Sequence, residues 1–210
     1  MKLLRTKPLA ECATPQDALS ELCAGYDGCA DLTFNLEEIA PEQMPQPARQ
    51  LLVHQSHMTR TLNQFYGVPV DVHVLERHRD GNLYSRKIFL TLQETSHVVE
   101  YGLVRMDLRP MPKKVVESIV AEHAPLGSIL IAHNVLRRIQ PKWYLRFGVG
   151  NPLLNWYGCQ TAGPLYGRLG TIYCNGEPTI EVLEIVTSIH VPTDIKRIDP
   201  NSNGNGNGQT

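Results

Sequence analysis

"VPVDVHVLERHRDGNLYSRKIFLTLQ", residues 68–93, decides the fold. Val68, Val70, Val72 and Val74 recur with period two, which places them on one face of a strand. "HRDGN" (78–82) interrupts the pattern and carries Asp80-Gly81, a pair suited to a type I′ turn. "LYSRKIFLTLQ" (83–93) then returns as the antiparallel partner. Tyr84, Arg86, Ile88 and Leu90 share one of its faces, and Ser85, Lys87, Phe89 and Thr91 share the other.

Outward from this hairpin, "HVVEYGLVRMDL" (97–108) reads as a third strand and "VLRRIQPKWYLRF" (135–147) as an extended segment. "YGRLGTIYC" (166–174) and "TIEVLEIVTSI" (179–189) form a second hairpin across "NGEP". Helical signals cluster elsewhere. Thr14 caps a helix that starts at Pro15 and stops at Gly25. Two more run from Ala48 and from Ser56 or Thr59 to Gly67, and Val115, Val116, Ile119 and Val120 mark a fourth. "EHAPLGSILIAHN" (122–134) breaks at Pro125 and resumes as a short helix, "SILIAH". The expected class is α+β: a single antiparallel sheet of about six strands with helices on one face. The expected organisation is an N-terminal helical or irregular extension (1–47), one domain (48–192) and a disordered low-complexity tail (193–210).

Composition narrows the function classes. The chain has 210 residues, enough for a core in one domain, with 20 Lys+Arg against 21 Asp+Glu and no basic stripe, so nucleic acid is not an expected partner. Five cysteines without a CxxC make neither a disulfide framework nor a zinc site, which points to reduced thiols and a cytoplasmic protein. No apolar run matches a signal peptide or a membrane span. No metal is expected: His54 and His57 lie three apart on a predicted helix, His73 and His78 face opposite ways by alternation, and no carboxylate cluster accompanies them in metal-ligand spacing. "HRD" (78–80) lacks the asparagine of a kinase catalytic loop, since Ser85 stands in its place.

Two charges at strand centres are more informative. Arg86 shares a face with Ile88 and Leu90, and Glu184 shares one with Ile180, Val182 and Val186. Pointing inward, each needs a counter-charge. They either pair with each other in the interior, or line a pocket in which Arg86 binds a carboxylate and Glu184 handles a proton or hydroxyl.

The order "SHMTRTL" with Met58, the strand with Arg86, "PLG" opening a short helix, and "GEPTIEVLE" ending in Glu184 resembles the chorismate lyases, over roughly residues 48–190. The resemblance implies a cofactor-free, cytoplasmic enzyme of quinone biosynthesis that converts chorismate to 4-hydroxybenzoate and pyruvate. It implies that Arg86 and Glu184 are catalytic: Arg86 grips the ring carboxylate and Glu184 stands near the hydroxyl. It further implies that Met58 lines the pocket and that the backbone of Leu126 and Gly127 contacts the ligand. Lys87 and Leu183 depart from the pattern, with glutamate and threonine usual at those places. Arg138 and Arg168 are candidates for a second cation facing the enolpyruvyl carboxylate. The alternative is a non-catalytic small-molecule-binding domain of the same fold, as in the effector domains of certain bacterial repressors, whose DNA-binding helices residues 1–47 do not resemble.

Overall fold

The computed structural model describes residues 7–26, 29–151 and 163–187. Seven strands form one antiparallel sheet: β1 (Leu36–Ile39), β2 (Val70–Asp80), β3 (Leu83–Leu92), β4 (Val98–Asp107), β5 (Arg137–Phe147), β6 (Leu165–Cys174) and β7 (Glu177–Val186), in the order β1-β5-β6-β7-β4-β3-β2. Five helices accompany them: α1 (Pro15–Cys23), α2 (Ala48–Leu52), α3 (Met58–Tyr66), α4 (Lys113–Ala121) and α5 (Leu126–Ala132). The α+β antiparallel class is as expected. The additional strand, β1, lies in the Pro- and acid-rich segment expected to be irregular, where it pairs only with β5 as a sheet edge.

The hairpin that decides the fold forms, with two local differences. Its turn residues are Gly81-Asn82, one position later than expected, because Asp80 pairs with Leu83. Gly81 takes φ 60° while Asn82 stays out of the left-handed region, so the turn meets the demand of the II′ class for glycine at its first central position. A bulge at Leu75 breaks the register between Val74 and Glu76. Beyond it the alternation inverts: His78 pairs with Ser85, and His73 pairs with Phe89, so both histidines lie on one face rather than opposite ones. The β6–β7 turn carries Asn175 (φ 53°) and Gly176 (φ 90°), the two positive values that an Asn-Gly I′ turn requires.

Helix signals are obeyed closely. Thr14 Oγ1 accepts from the Asp17 amide at 3.1 Å, with Pro15 at the first position. Gly67 closes α3 at φ 74°. The N-cap of α3 is His57, between the two caps expected, and α5 begins two residues earlier than expected, with Pro125 as its N-cap.

Helices α2–α5 cover the face bearing Tyr84, Ile88, Val104 and Val182, which we term the front. The expectation of helices on one face holds for these four. The back is covered by the N-terminal residues: Leu9, Leu19, Leu22 and Leu32 pack on Tyr101, Leu103, Leu145, Leu169 and Leu183. Both faces are therefore buried, and each fully buried leucine contributes about 1.5–3 kcal/mol. Residues 188–210, which include the expected tail, lie outside the described residues, as does Cys159. Cys12, Cys23, Cys29 and Cys174 are buried free thiols. No described helix is long and apolar enough to cross a membrane.

Candidate functional site

Antiparallel pairing assigns side chains to faces. Arg86 on β3 is in register with Val104 on β4, which is in register with Val182 on β7. Glu184, two residues along β7, is in register with Gly102 on β4 and Arg168 on β6. Arg86, Glu184, Arg168 and Glu100 thus all lie on the front, in a polar row between two apolar clusters. With strands ~4.8 Å apart and ~3.4 Å of rise per residue, the Cα atoms of Arg86 and Glu184 stand roughly 12 Å apart across Gly102.

The two residues that the sequence singled out are on one face but do not pair. Glu184 instead accepts a hydrogen bond at Oε2 from Arg168 Nε at 2.5 Å. Arg168 is 1% exposed and its remaining donors are engaged too. Its NH1 group donates to the carbonyls of Leu52 and His54, each at 2.8 Å, and its NH2 group reaches that of Ser56 at 3.5 Å. Arg168 therefore ties the sheet to the linker between α2 and α3, the segment that delivers His57 and Met58.

Arg86 is in the opposite situation. It is 0% exposed, and Nε, NH1 and NH2 all lack a hydrogen-bond partner. Tyr84 and Glu122 favour its charged form through space; the Tyr84 hydroxyl itself donates to Glu122 Oε1, and Arg77 donates to Oε2 at 2.8 Å. Burial pulls the Arg86 guanidinium below its ordinary pKa.

Glu100, on β4 beside Gly102, escaped the sequence reading. It is 3% exposed, and its Oε2 has no partner. Burial, and then repulsion from Glu184, push its carboxyl well above the usual range. A lone acid inside the apolar run "VVEYGLV" was the available signal, the same one that marked Arg86 and Glu184.

Two histidines from the linker close the row from above, both neutral. His54 Nε2 donates to the Leu51 carbonyl at 2.6 Å, and Nδ1 accepts from Arg168 and the Ser56 amide. Burial and then Arg168 lower its pKa. His57 accepts at Nε2 from Arg137 Nε, and burial followed by Arg137 lowers it to about 4. No His/Cys/Asp/Glu group among the described residues has the arrangement of a metal site.

Of the remaining expected site residues, Met58 starts α3, buried against the cluster that holds Ile88 and Val186. Leu126 starts α5, in the cluster of Tyr84, Val104 and Val182. Gly127 lies against the residues flanking Met58. A Cβ there would stand 3.2 Å from His57 Cβ and 3.2 Å from Thr59 Oγ1. The glycine permits close approach of α5 to α3, a packing demand that accounts for its presence without a ligand. Arg138 is away from the row, exposed, with its guanidinium 4.4 Å over the Tyr173 ring.

No protein-family model and no curated protein matches the sequence. Among solved structures, the chain is similar to PhnF from Mycobacterium smegmatis (8% identity, TM-score 0.49), covering 65% of this chain and 65% of PhnF. The effector domain of PhnF gives 8% identity and TM-score 0.47 over 63% of this chain and 89% of that one. The ligand-binding domain of a putative GntR-family transcriptional regulator from Bordetella bronchiseptica gives 14% identity and TM-score 0.43, over 58% and 87%. The chain thus spans less than two thirds of full-length PhnF.

Proposed function

We propose that the chain binds a small carboxylate-bearing molecule on the front of the sheet, with Arg86 as the anchor. One observation carries this reading: a fully buried guanidinium whose three nitrogens all lack partners. Buried polar groups are almost always satisfied, and a buried unpaired charge costs several kcal/mol, so such a group calls for an anion that the free protein does not contain. A carboxylate meets the planar fork of arginine with two parallel hydrogen bonds. Calorimetric titration with 4-hydroxybenzoate and with chorismate tests the reading. Saturable binding of either supports it, and absence of heat and of any melting-temperature shift with both contradicts it.

A second reading, elimination of pyruvate from chorismate, is favoured by Glu184. Its carboxylate stands on the same face as Arg86, across Gly102, at a spacing that suits a ring with polar groups at both ends. Arg86 would hold the ring carboxylate while Glu184 orients the hydroxyl and takes the neighbouring ring proton. The C–H electron pair then completes the aromatic ring, and the ether C–O bond breaks to release enolpyruvate, which gains a proton on carbon to become pyruvate. Equal, protein-dependent amounts of 4-hydroxybenzoate and pyruvate from chorismate support this reading. Binding without either product leaves a sensor-like, non-catalytic domain.

A further inference from the structure

We infer that Glu100 and Glu184 act as one two-carboxyl unit holding a single proton, with the proton on Glu100, so that the site offers a ligand a neutral acid donor beside a carboxylate acceptor. The ligand part of this inference rests on the carboxylate-binding reading above; the proton does not.

The argument begins with placement. Glu184 pairs with Gly102 and Glu100 pairs with Val186, which makes the two acids diagonal neighbours on adjacent strands, roughly 7–8 Å apart by the usual spacing of such pairs. Their faces are the same, and both are largely out of water: Glu100 is 3% exposed, and the Glu184 side chain 13%. Cations decide which acid keeps its charge. Arg168 pairs with Glu184: its Nε is committed to Glu184 Oε2. The other Arg168 nitrogens are held by the Leu52, His54 and Ser56 carbonyls. Arg86 is in register with Val104, four residues along β4 from Glu100, and makes no hydrogen bond to either acid. One cation can offset one carboxylate. The second must take a proton, because a buried, uncompensated anion costs far more than a buried acid.

Geometry also says what the proton is for. Glu100 Oε2 is buried without a partner in the free protein, next to Gly102, where the missing side chain leaves Glu100 Oε1 3.7 Å from the position a Cβ would take. A buried acid O–H with no acceptor is a donor free for a ligand oxygen. Glu184 beside it supplies the complementary acceptor. Together they recognise a group that both accepts and donates, such as a hydroxyl, at the end of the row away from Arg86. Glu100 is thereby a specificity-determining residue.

Two measurements test this. Infrared difference spectroscopy of the free protein, comparing parent with Glu100→Gln and Glu184→Gln at neutral pH, reads the proton directly. The expected result is a protonated-carboxyl carbonyl band that Glu100→Gln removes. Absence of that band in the parent, or its loss only in Glu184→Gln, overturns the assignment. Titration with 4-hydroxybenzoate and benzoate then reads the donor. Glu100→Ala is expected to weaken 4-hydroxybenzoate about tenfold while leaving benzoate within about threefold, and Glu100→Gln, which keeps a donor, to retain most of the affinity. Equal weakening of both probes marks Glu100 as structural and overturns the donor role. If the parent binds neither probe, the carboxylate-binding reading fails, and the infrared band still decides where the proton is.

Discussion

On the back of the sheet, cations meet partners supplied by the fold itself. Arg105 donates to Glu181 at 2.6 Å and to the carbonyls of Lys7 and Glu21, Lys87 bonds Glu76, and Lys142 reaches the carbonyls of Leu9 and Cys12. On the front, Arg168 and Glu184 pair just as well, but Arg86 and Glu100 are left without partners. Arg105 and Lys142 fasten residues 7–26 to the sheet, and Lys87 joins β3 to β2. The unmet polar groups on the front are a standing cost that folding alone does not explain. The cations on the back are structural; on the front, Arg86 awaits a ligand.

This contrast can be broken at several points. The largest effect is expected on the back: Glu181→Ala strands Arg105 and should lower stability by about 3–5 kcal/mol in denaturant unfolding, with ligand affinity unchanged. If the variant loses binding with little loss of stability, the division between faces is wrong.

Next in size is a pH effect on the front. His57 titrates near 4 when folded against 6.5 in the open chain. Between those values the unfolded state holds the extra proton, so stability falls as pH drops from 6.5 toward 4, by about 3 kcal/mol at most, and the His57 contribution is constant above that window. His54, shifted the same way, adds to the slope. Unfolding curves across pH 4–7 should show the slope reduced in His57→Gln; an unchanged slope would place the proton linkage elsewhere.

The smallest effect is expected at Gly127. Alanine there presses on His57 and Thr59 at 3.2 Å and should cost about 1–2 kcal/mol, separating α5 slightly from α3. Native stability in Gly127→Ala would show that the junction is looser than its distances imply.

The sequence made the hairpins legible because valines and isoleucines alternate and Asp-Gly-Asn or Asn-Gly sit between them. It did not make the bulges legible. Leu75 looks like any other strand residue, yet it reverses the faces of Glu76 and His78. The same holds for the partner of Glu184. A plain turn joining Cys174 to Glu177 would set Arg168 opposite Leu183, and the irregularity between Ile172 and Tyr173 moves it to Glu184. Whether Arg86 and Glu184 pair was also undecidable from spacing, since the answer lay in the strand order, which sets β4 between them. Likewise the leucines of α1 announced a buried helix, but which face of the sheet they cover is a tertiary choice.

The most direct test of the account is Arg86→Met, read twice on the same preparation: melting temperature without ligand, and calorimetric affinity for 4-hydroxybenzoate. Methionine keeps the volume and removes the unpaired charge. The account predicts a variant more stable than the parent by about 1–4 kcal/mol that has lost binding. A variant that is strongly destabilised, or that binds as the parent does, would contradict the assignment of Arg86 as the anchor.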